Sequence, residues 1–303
     1  MEKPLLHAPL QAIDDKEGDK VPQDLPFIVD AHVHVFPPRI FQSVWKWFDD
    51  YGWPIRYKLD AAEVLEFLLS RGVGHIIALQ YAHKAGMADG LNDYMVRLCR
   101  KYSEQVTGLA TVFPGEPGCE GILKRAFEAG LRGVKLHAHV QCFDMNSKEM
   151  DVIYETCVSN KKPVVMHVSR EPKSPAYSCD PHTLCSADKL EAVIKNYPGL
   201  NVCVPHMGTD EYALYRRLVE KYDNLWLDTT MIYADYFPDS SPSPLHEWRS
   251  DRIMYGTDFP NIPYSWDREI KRILWKGLPE EFMERLLSKN AMDFFSIRSK
   301  SNS

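Results

Sequence analysis

Residues 27–34 read Phe27-Ile28-Val29-Asp30-Ala31-His32-Val33-His34, a mostly apolar run into two histidines spaced i, i+2. In an extended strand that spacing puts both imidazoles on one side, about 7 Å apart along the chain, where they could share one ion. Phe36-Pro37-Pro38 follows at once and stops the strand, so the histidines fall at its carboxyl end. In a parallel α/β barrel that end is where active sites are built. Taken alone, a His-x-His pair has a plainer reading, with one ring satisfied in the core and the other facing solvent.

Downstream of this strand an alternation sets in. Strand-like runs at 75–79, 106–112, 133–137, 163–167, 201–204, 225–228 and 252–256 make eight with the first. Asp60-Ala61-Ala62-Glu63 reads as a capped helix start, with Leu65, Leu68 and Leu69 as its buried stripe and Gly72 as its end. Further helix-like stretches fall at 90–102, 119–129, 148–159, 187–196 and 209–222, whereas 242–250 is short, proline-rich and the weakest helix. Short buried strands alternating with helices at roughly 30-residue spacing predict an α/β protein, a (β/α)8 TIM barrel. An open doubly wound sheet is the competitor, demoted because no glycine-rich dinucleotide turn follows any strand.

Two connections are long, after strands 1 and 5. Residues 36–58 carry Phe36, Phe41, Trp45, Trp47, Phe48, Tyr51, Trp53 and Tyr57 and read either as a lid or binding loop or as a subunit contact of a homodimer. Residues 169–186, with Pro172, Pro175, Pro181, Cys179 and Cys185, read as a second mouth loop.

At 303 residues the chain is long enough for one large α/β domain, and 45% hydrophobic with 26% charged residues is ordinary for a globular protein. A net charge of -6 argues against a general nucleic-acid binder and favours a small-molecule substrate. Seven cysteines, none in a CxxC pair, predict reduced, packed thiols in a reducing compartment, hence a cytoplasmic protein. No run of 18 apolar residues suggests a membrane span, and Pro4, Pro9 and the charged 14–20 segment argue against a signal peptide. The expected organisation is a flexible lead or strap over 1–24, a barrel domain over 25–297 and a polar tail over 298–303.

Further chemistry-bearing residues sit at strand ends. Lys135 and His137 close the fourth, His167 the fifth, His206 follows the sixth through Pro205, and Asp258 follows the eighth. In a barrel these ends converge on one mouth. Several neutral imidazoles and a carboxylate form a mixed nitrogen and oxygen shell for a divalent ion, zinc first, with manganese or iron as alternatives. Each residue has a plainer role when taken singly: Asp258 could cap the next helix, and His206 could be a hydrogen-bond partner of a ligand.

The set Asp30-Ala31-His32-Val33-His34, Gly133-Val134-Lys135-Leu136-His137, Val165-Met166-His167, Pro205-His206-Met207-Gly208 and Tyr255-Gly256-Thr257-Asp258-Phe259-Pro260 resembles the amidohydrolase superfamily. It is most similar to the amidohydrolase 2 group, which includes aminocarboxymuconate-semialdehyde and resorcylate decarboxylases beside presumed hydrolases. Leu286-Leu287-Ser288-Lys289-Asn290-Ala291-Met292-Asp293-Phe294-Phe295 resembles that group's last helix, so the similarity runs from about residue 27 to 296. The resemblance implies His32, His34, His167 and Asp258 as ligands of one ion and His206 as the acid/base or water-orienting group, with Asp258 doubling as base. In binuclear members of the superfamily a lysine at the fourth strand is carbamylated and bridges two metals; the decarboxylase-like group usually lacks that bridge. Lys135 is therefore read first as the partner of a substrate carboxylate, then as a carbamate carrier, then as one half of a structural ion pair. His137 is a candidate substrate contact, His139 either a contact or a loop residue, and Arg170 a carboxylate fork or a solvated rim residue.

The expected function is a metal-dependent hydrolase acting on an amide, lactone or related bond of a small carboxylated substrate. A non-oxidative decarboxylase of an aromatic or enol acid would use the same residues. A non-catalytic binding protein on a degenerate barrel is the reading from another class, disfavoured by the intact ligand set. A metal-dependent nuclease is disfavoured by the acidic balance and the aromatic-rich connection.

Overall fold

The computed structural model describes residues 14–170, 174–236 and 243–297. Its strands are β1 (Val29–His34), β2 (His75–Leu79), β3 (Val106–Gly108), β4 (Val134–His137), β5 (Val164–His167), β6 (Val202–Val204), β7 (Leu225–Asp228) and β8 (Ile253–Met254). They pair in parallel, in sequence order, as β1-β2-β3 and β4 through β8. Backbone hydrogen bonds span both gaps. Ala110 N–H donates to Gly133 O and Lys135 N–H to Ala110 O, each at 2.8 Å, linking the continuation of β3 to β4. At the seam between first and last strands, Ala31 N–H reaches Tyr255 O at 2.9 Å, Asp258 N–H reaches His32 O at 2.9 Å and His34 N–H reaches Phe259 O at 2.8 Å. The strands form the TIM barrel that the alternation predicted, with helices outside it.

Burial follows the strand period. Val29, Ala31, Ile77, Leu79, Leu109, Val165, Cys203, Trp226 and Met254 form one interior cluster, plugged by Phe294 and Phe295 of the C-terminal helix Asn290–Phe295. Alternate residues such as Val33, Ile76, Leu136, Met166 and Leu227 pack in a second, larger cluster that includes the helices. β1 breaks this rhythm. Asp30 pairs with Ile76 but Val33 with Ala78, so three steps on β1 match two on β2, a β-bulge. Val29 and Ala31 point inward and Val33 outward, so the extra residue changes the phase and brings His32 and His34 to the inside as well.

The 36–58 connection, expected as a loop, holds a 14-residue helix, α1 (Pro38–Tyr51). Pro38 occupies the first helical turn, where its missing N–H costs nothing. Phe41 and Val44 are buried three residues apart and Trp45 stacks on Phe41, a helical period hidden by the density of aromatics. The expected cap at Asp60 is present: α2 (Ala61–Ser70) opens with a capping box in which Glu63 accepts from Asp60 N–H at 2.7 Å. The remaining outer helices include α3 (Ala88–Lys101), α4 (Cys119–Glu128), α5 (Ala138–Gln141), α6 (Lys148–Ser159), α7 (Pro181–Leu184), α8 (Ala187–Asn196) and α9 (Tyr212–Lys221). Among the described residues, the weak 242–250 interval contributes 3-10 turns at Leu245–Glu247 and Ser250–Arg252. After β5, α7 is the regular element of the 169–186 connection among the described residues; Pro172 lies outside them.

Residues 14–24 run along the barrel exterior. Asp15 accepts from Arg268 at 2.6 Å, Gly18 N–H donates to Asp267 at 2.8 Å, and Val21 N–H donates to Arg71 O at 2.8 Å. Residues 1–13 and the tail 298–303 lie outside the described residues. Among the described residues, no helix is long and apolar enough to cross a membrane.

Candidate active site

The carboxyl ends of β1, β4, β5 and β7, with the segments after β6 and β8, place the candidate residues in one buried mouth. His32 Nε2 and His34 Nε2 are 3.3 Å apart, and Asp258 Oδ1 is 3.5 Å from the first and 3.0 Å from the second. His32 Nδ1 lies 2.9 Å from Asp228 Oδ2, so it is the protonated nitrogen and Nε2 turns its lone pair toward the other two donors. Burial and then the charge of Lys135 push the His32 imidazolium well below its usual range. His34 is lowered by burial against the pull of Asp258. The Asp258 carboxyl is pushed up by burial but ends below the usual range, because the His34 hydrogen bond and the charges of His34, His206 and Lys135 outweigh it. Two neutral imidazoles and a carboxylate thus aim electron pairs at one point, a donor set that fits a divalent cation.

His206 is held differently. Its backbone N–H donates to Asp228 Oδ1 at 3.1 Å and its Nδ1 sits 3.0 Å from Thr230 O, so Nδ1–H is the donor and Nε2 is the atom left to exchange a proton. Its ring centroid is 5.9 Å from that of His32 and 4.8 Å from that of His167. His206 and Asp258 both have positive φ, 56° and 68°, backbone strain of the kind concentrated at functional sites. Glycine assists twice. Gly208 (φ 75°) lets Tyr215 pack where a Cβ would lie 2.0 Å from its ring, and Gly256 has no Cβ to meet His32.

His167, expected beside His32 and His34, groups instead with His137 and His139; one donor atom from each lies within 4.8 Å of the others. The His137 and His167 rings stack at 4.1 Å, a consequence of the β4–β5 register that pairs these two residues. His139 is buried on α5 and is not a loop residue. Lys135 is fully buried with Nζ 3.4 Å from His32 Nε2. Arg170 is at the rim, 3.1 Å from Asp210 and 3.5 Å from Glu211. Three residues at the site were not singled out from sequence. Asp228 orients both His32 and His206; Asp30, whose carboxyl burial raises to about 7, accepts from Thr257 and His32 N–H; and Tyr81 stands between His34 and His137 at 5.8 and 4.9 Å. Asp228 ends β7 as His167 ends β5, so strand-end position was the available signal.

A Cβ on Gly256 would lie 2.6 Å from Thr230 Oγ1 and 2.8 Å from His32 Cβ. Gly256→Ala is therefore expected to displace His32 and weaken divalent-ion affinity by about 10- to 100-fold while the far-ultraviolet circular dichroism is kept. Ion titration against a competing chelator measures it; unchanged affinity would show that the close approach has no bearing on the donor set.

Comparison with known proteins follows the same lines. A family model described as amidohydrolase matches residues 29–297. No curated protein matches the sequence. Among solved structures, the fold is similar to a 5-carboxyvanillate decarboxylase from Novosphingobium aromaticivorans complexed with manganese and 4-hydroxy-3-methoxy-5-nitrobenzoic acid, with TM-score 0.62 and 18% identity over 94% of this chain and 99% of that one. It is similar to a 2,6-dihydroxybenzoate decarboxylase complexed with 2,6-dihydroxybenzoate, with TM-score 0.65 and 16% identity over 90% and 100%. It is also similar to a probable 2-pyrone-4,6-dicarboxylic acid hydrolase from Acinetobacter baumannii with citric acid bound, with TM-score 0.63 and 16% identity over 90% and 100%.

Proposed function

This chain belongs to the amidohydrolase family, a family of enzymes, and on that premise we propose that it is a metal-dependent hydrolase of a small carboxylated substrate, acting on an amide, lactone or related bond. The observation that carries this reading is the convergence of His32 Nε2, His34 Nε2 and Asp258 Oδ1 within 3.5 Å at the barrel mouth. These three would hold one divalent ion, zinc first and manganese or iron as alternatives. Such an ion, when bound, lowers the pKa of water and polarises a carbonyl.

The remaining work falls to the chain's own side chains. Asp258, held anionic, takes the proton of the attacking water through the oxygen it does not share with His34. His206, with Nδ1–H on Thr230 O, relays through Nε2 to the leaving group the proton that Asp258 has taken from the water. Lys135 supplies a buried positive charge toward the substrate carboxylate, and His137 adds a hydrogen-bonding edge on the same strand. Arg170, ion-paired at the rim, is a substrate contact once a carboxylate competes for its guanidinium. The reading includes a cytoplasmic protein with a small-molecule substrate, able to form a homodimer.

A second reading, non-oxidative decarboxylation of an aromatic or enol acid, is favoured by the likeness in fold to two aromatic-acid decarboxylases. Here His206 protonates the carbon that loses carbon dioxide. The two readings separate in heavy-oxygen water with the metal-loaded protein and a panel of lactones, amides and hydroxybenzoates. Hydrolysis incorporates one heavy oxygen into the product and releases no carbon dioxide; the opposite pattern selects the decarboxylase. Turnover unaffected by a chelator would overturn both.

A further inference from the structure

We propose that Cys142 and Cys179 are a redox-sensitive thiol pair whose disulfide fastens the segment after β5 to α5 beside the mouth of the site. Their sulfurs are 3.0 Å apart although the residues are 37 positions apart in sequence. Cys142 is exposed and sits immediately after α5 with φ 53°, while Cys179 is half-buried on the approach to α7. Both sulfurs lie near one acceptor, the carbonyl of His139, at 3.5 and 3.2 Å, so both thiols are gathered at the end of the same helical turn. About 1 Å of closure separates this contact from the usual bonding distance of about 2.05 Å.

The pair has a mechanical target. Two residues before Cys179, Tyr177 places its ring 4.6 Å from that of His139 and 5.4 Å from that of Trp47 on α1. The segment that carries Cys179 therefore packs on His139, one member of the His137, His139 and His167 group, and bridges to the helix after β1. A bond at Cys179 fixes that segment to the end of α5.

The oxidant is a low-molecular-weight disulfide. The thiolate of exposed Cys142 attacks one of its sulfurs, forming a mixed disulfide and expelling one thiolate, which takes up the Cys142 proton. Burial and the neighbouring Cys142 raise the Cys179 thiol to about 12, so Cys179 acts second. It gives up its proton as it attacks the Cys142 sulfur and expels the second small thiol. Two protein thiols are oxidised and one small disulfide becomes two thiols, with protons balanced. In a reducing compartment the bond is transient and follows the thiol poise.

The test uses the full chain incubated with oxidised glutathione. Two of the seven thiols are expected to disappear in a denaturing titration, peptide mapping is expected to join Cys142 to Cys179, and dithiothreitol is expected to restore both. Protease cleavage within 174–186 is expected to slow by about 10-fold in the oxidised form. Cys142→Ser, a change at an exposed position, keeps the fold and leaves cleavage unchanged by oxidation. Stable glutathione adducts on either cysteine without the cross-link, or a cross-link that leaves cleavage as fast as before, overturns the proposal. Neither readout depends on turnover, so the result is independent of the reaction catalysed.

Discussion

His32→Ala is expected to remove the bound divalent ion and to lower kcat/KM by at least about 10³-fold, the several kcal/mol that metal-assisted catalysis supplies. His32 stands within 3.5 Å of both other donors and is fixed by Asp228, so no neighbouring side chain can take its place. The substitution also takes from Oδ2 of the buried Asp228 its His32 partner, leaving the His206 N–H on Oδ1, which costs about 1–3 kcal/mol of stability. A lower midpoint on thermal unfolding must therefore be separated from lost chemistry. His34→Ala does this, because the Nδ1 of His34, unlike that of His32, has no hydrogen-bond partner among the described residues: it should lose the ion with a smaller fall in stability. Elemental analysis with steady-state kinetics decides the matter. Full ion stoichiometry in His32→Ala, with activity within tenfold of the parent, would remove the basis of the proposed function.

The second large effect is on kcat alone. In His206→Asn the amide can still donate to the Thr230 carbonyl, as Nδ1–H does, but it cannot carry a proton. The expected result is a fall in kcat of about 10²- to 10⁴-fold with unchanged ion content, and loss of one limb of the pH–rate profile. Loss of the ion would reassign His206 to the ligand set, and kcat within about threefold of the parent would remove it from proton transfer altogether.

Much of this arrangement was legible in the sequence because strand ends are local signals. The apolar runs mark six strands closely, whereas the 106–112 run shortens to Val106–Gly108 and the 252–256 run to Ile253–Met254. Bringing His32, His34 and Asp258 to one mouth followed from barrel topology, and singling them out as ligands from the resemblance to the amidohydrolase 2 group. Three features were not legible, each for a physical reason. The β1 bulge is a property of pairing with β2, invisible in one strand's pattern. Helix α1 was hidden because aromatics occupy both its buried and exposed positions, which blurs the period. The association of His167 with His137 follows from β4–β5 register, which sequence spacing does not fix. Asp228 could have been found by the strand-end rule that located Asp258, but nothing local distinguishes an orienting carboxylate from a ligand.

The seam where β8 closes against β1 has a kinetic consequence. His32 and His34 stand on one side of it and Asp258 on the other, beside Thr257, which reaches Asp30 across 227 positions of chain. The proposed donor set is complete only when the two ends of the barrel meet, a contact of very long range in sequence and so slow to be made. Partly folded chains offer the ion only part of this donor set, so loading it changes the rate of folding little and acts mainly on the rate at which the finished barrel comes apart.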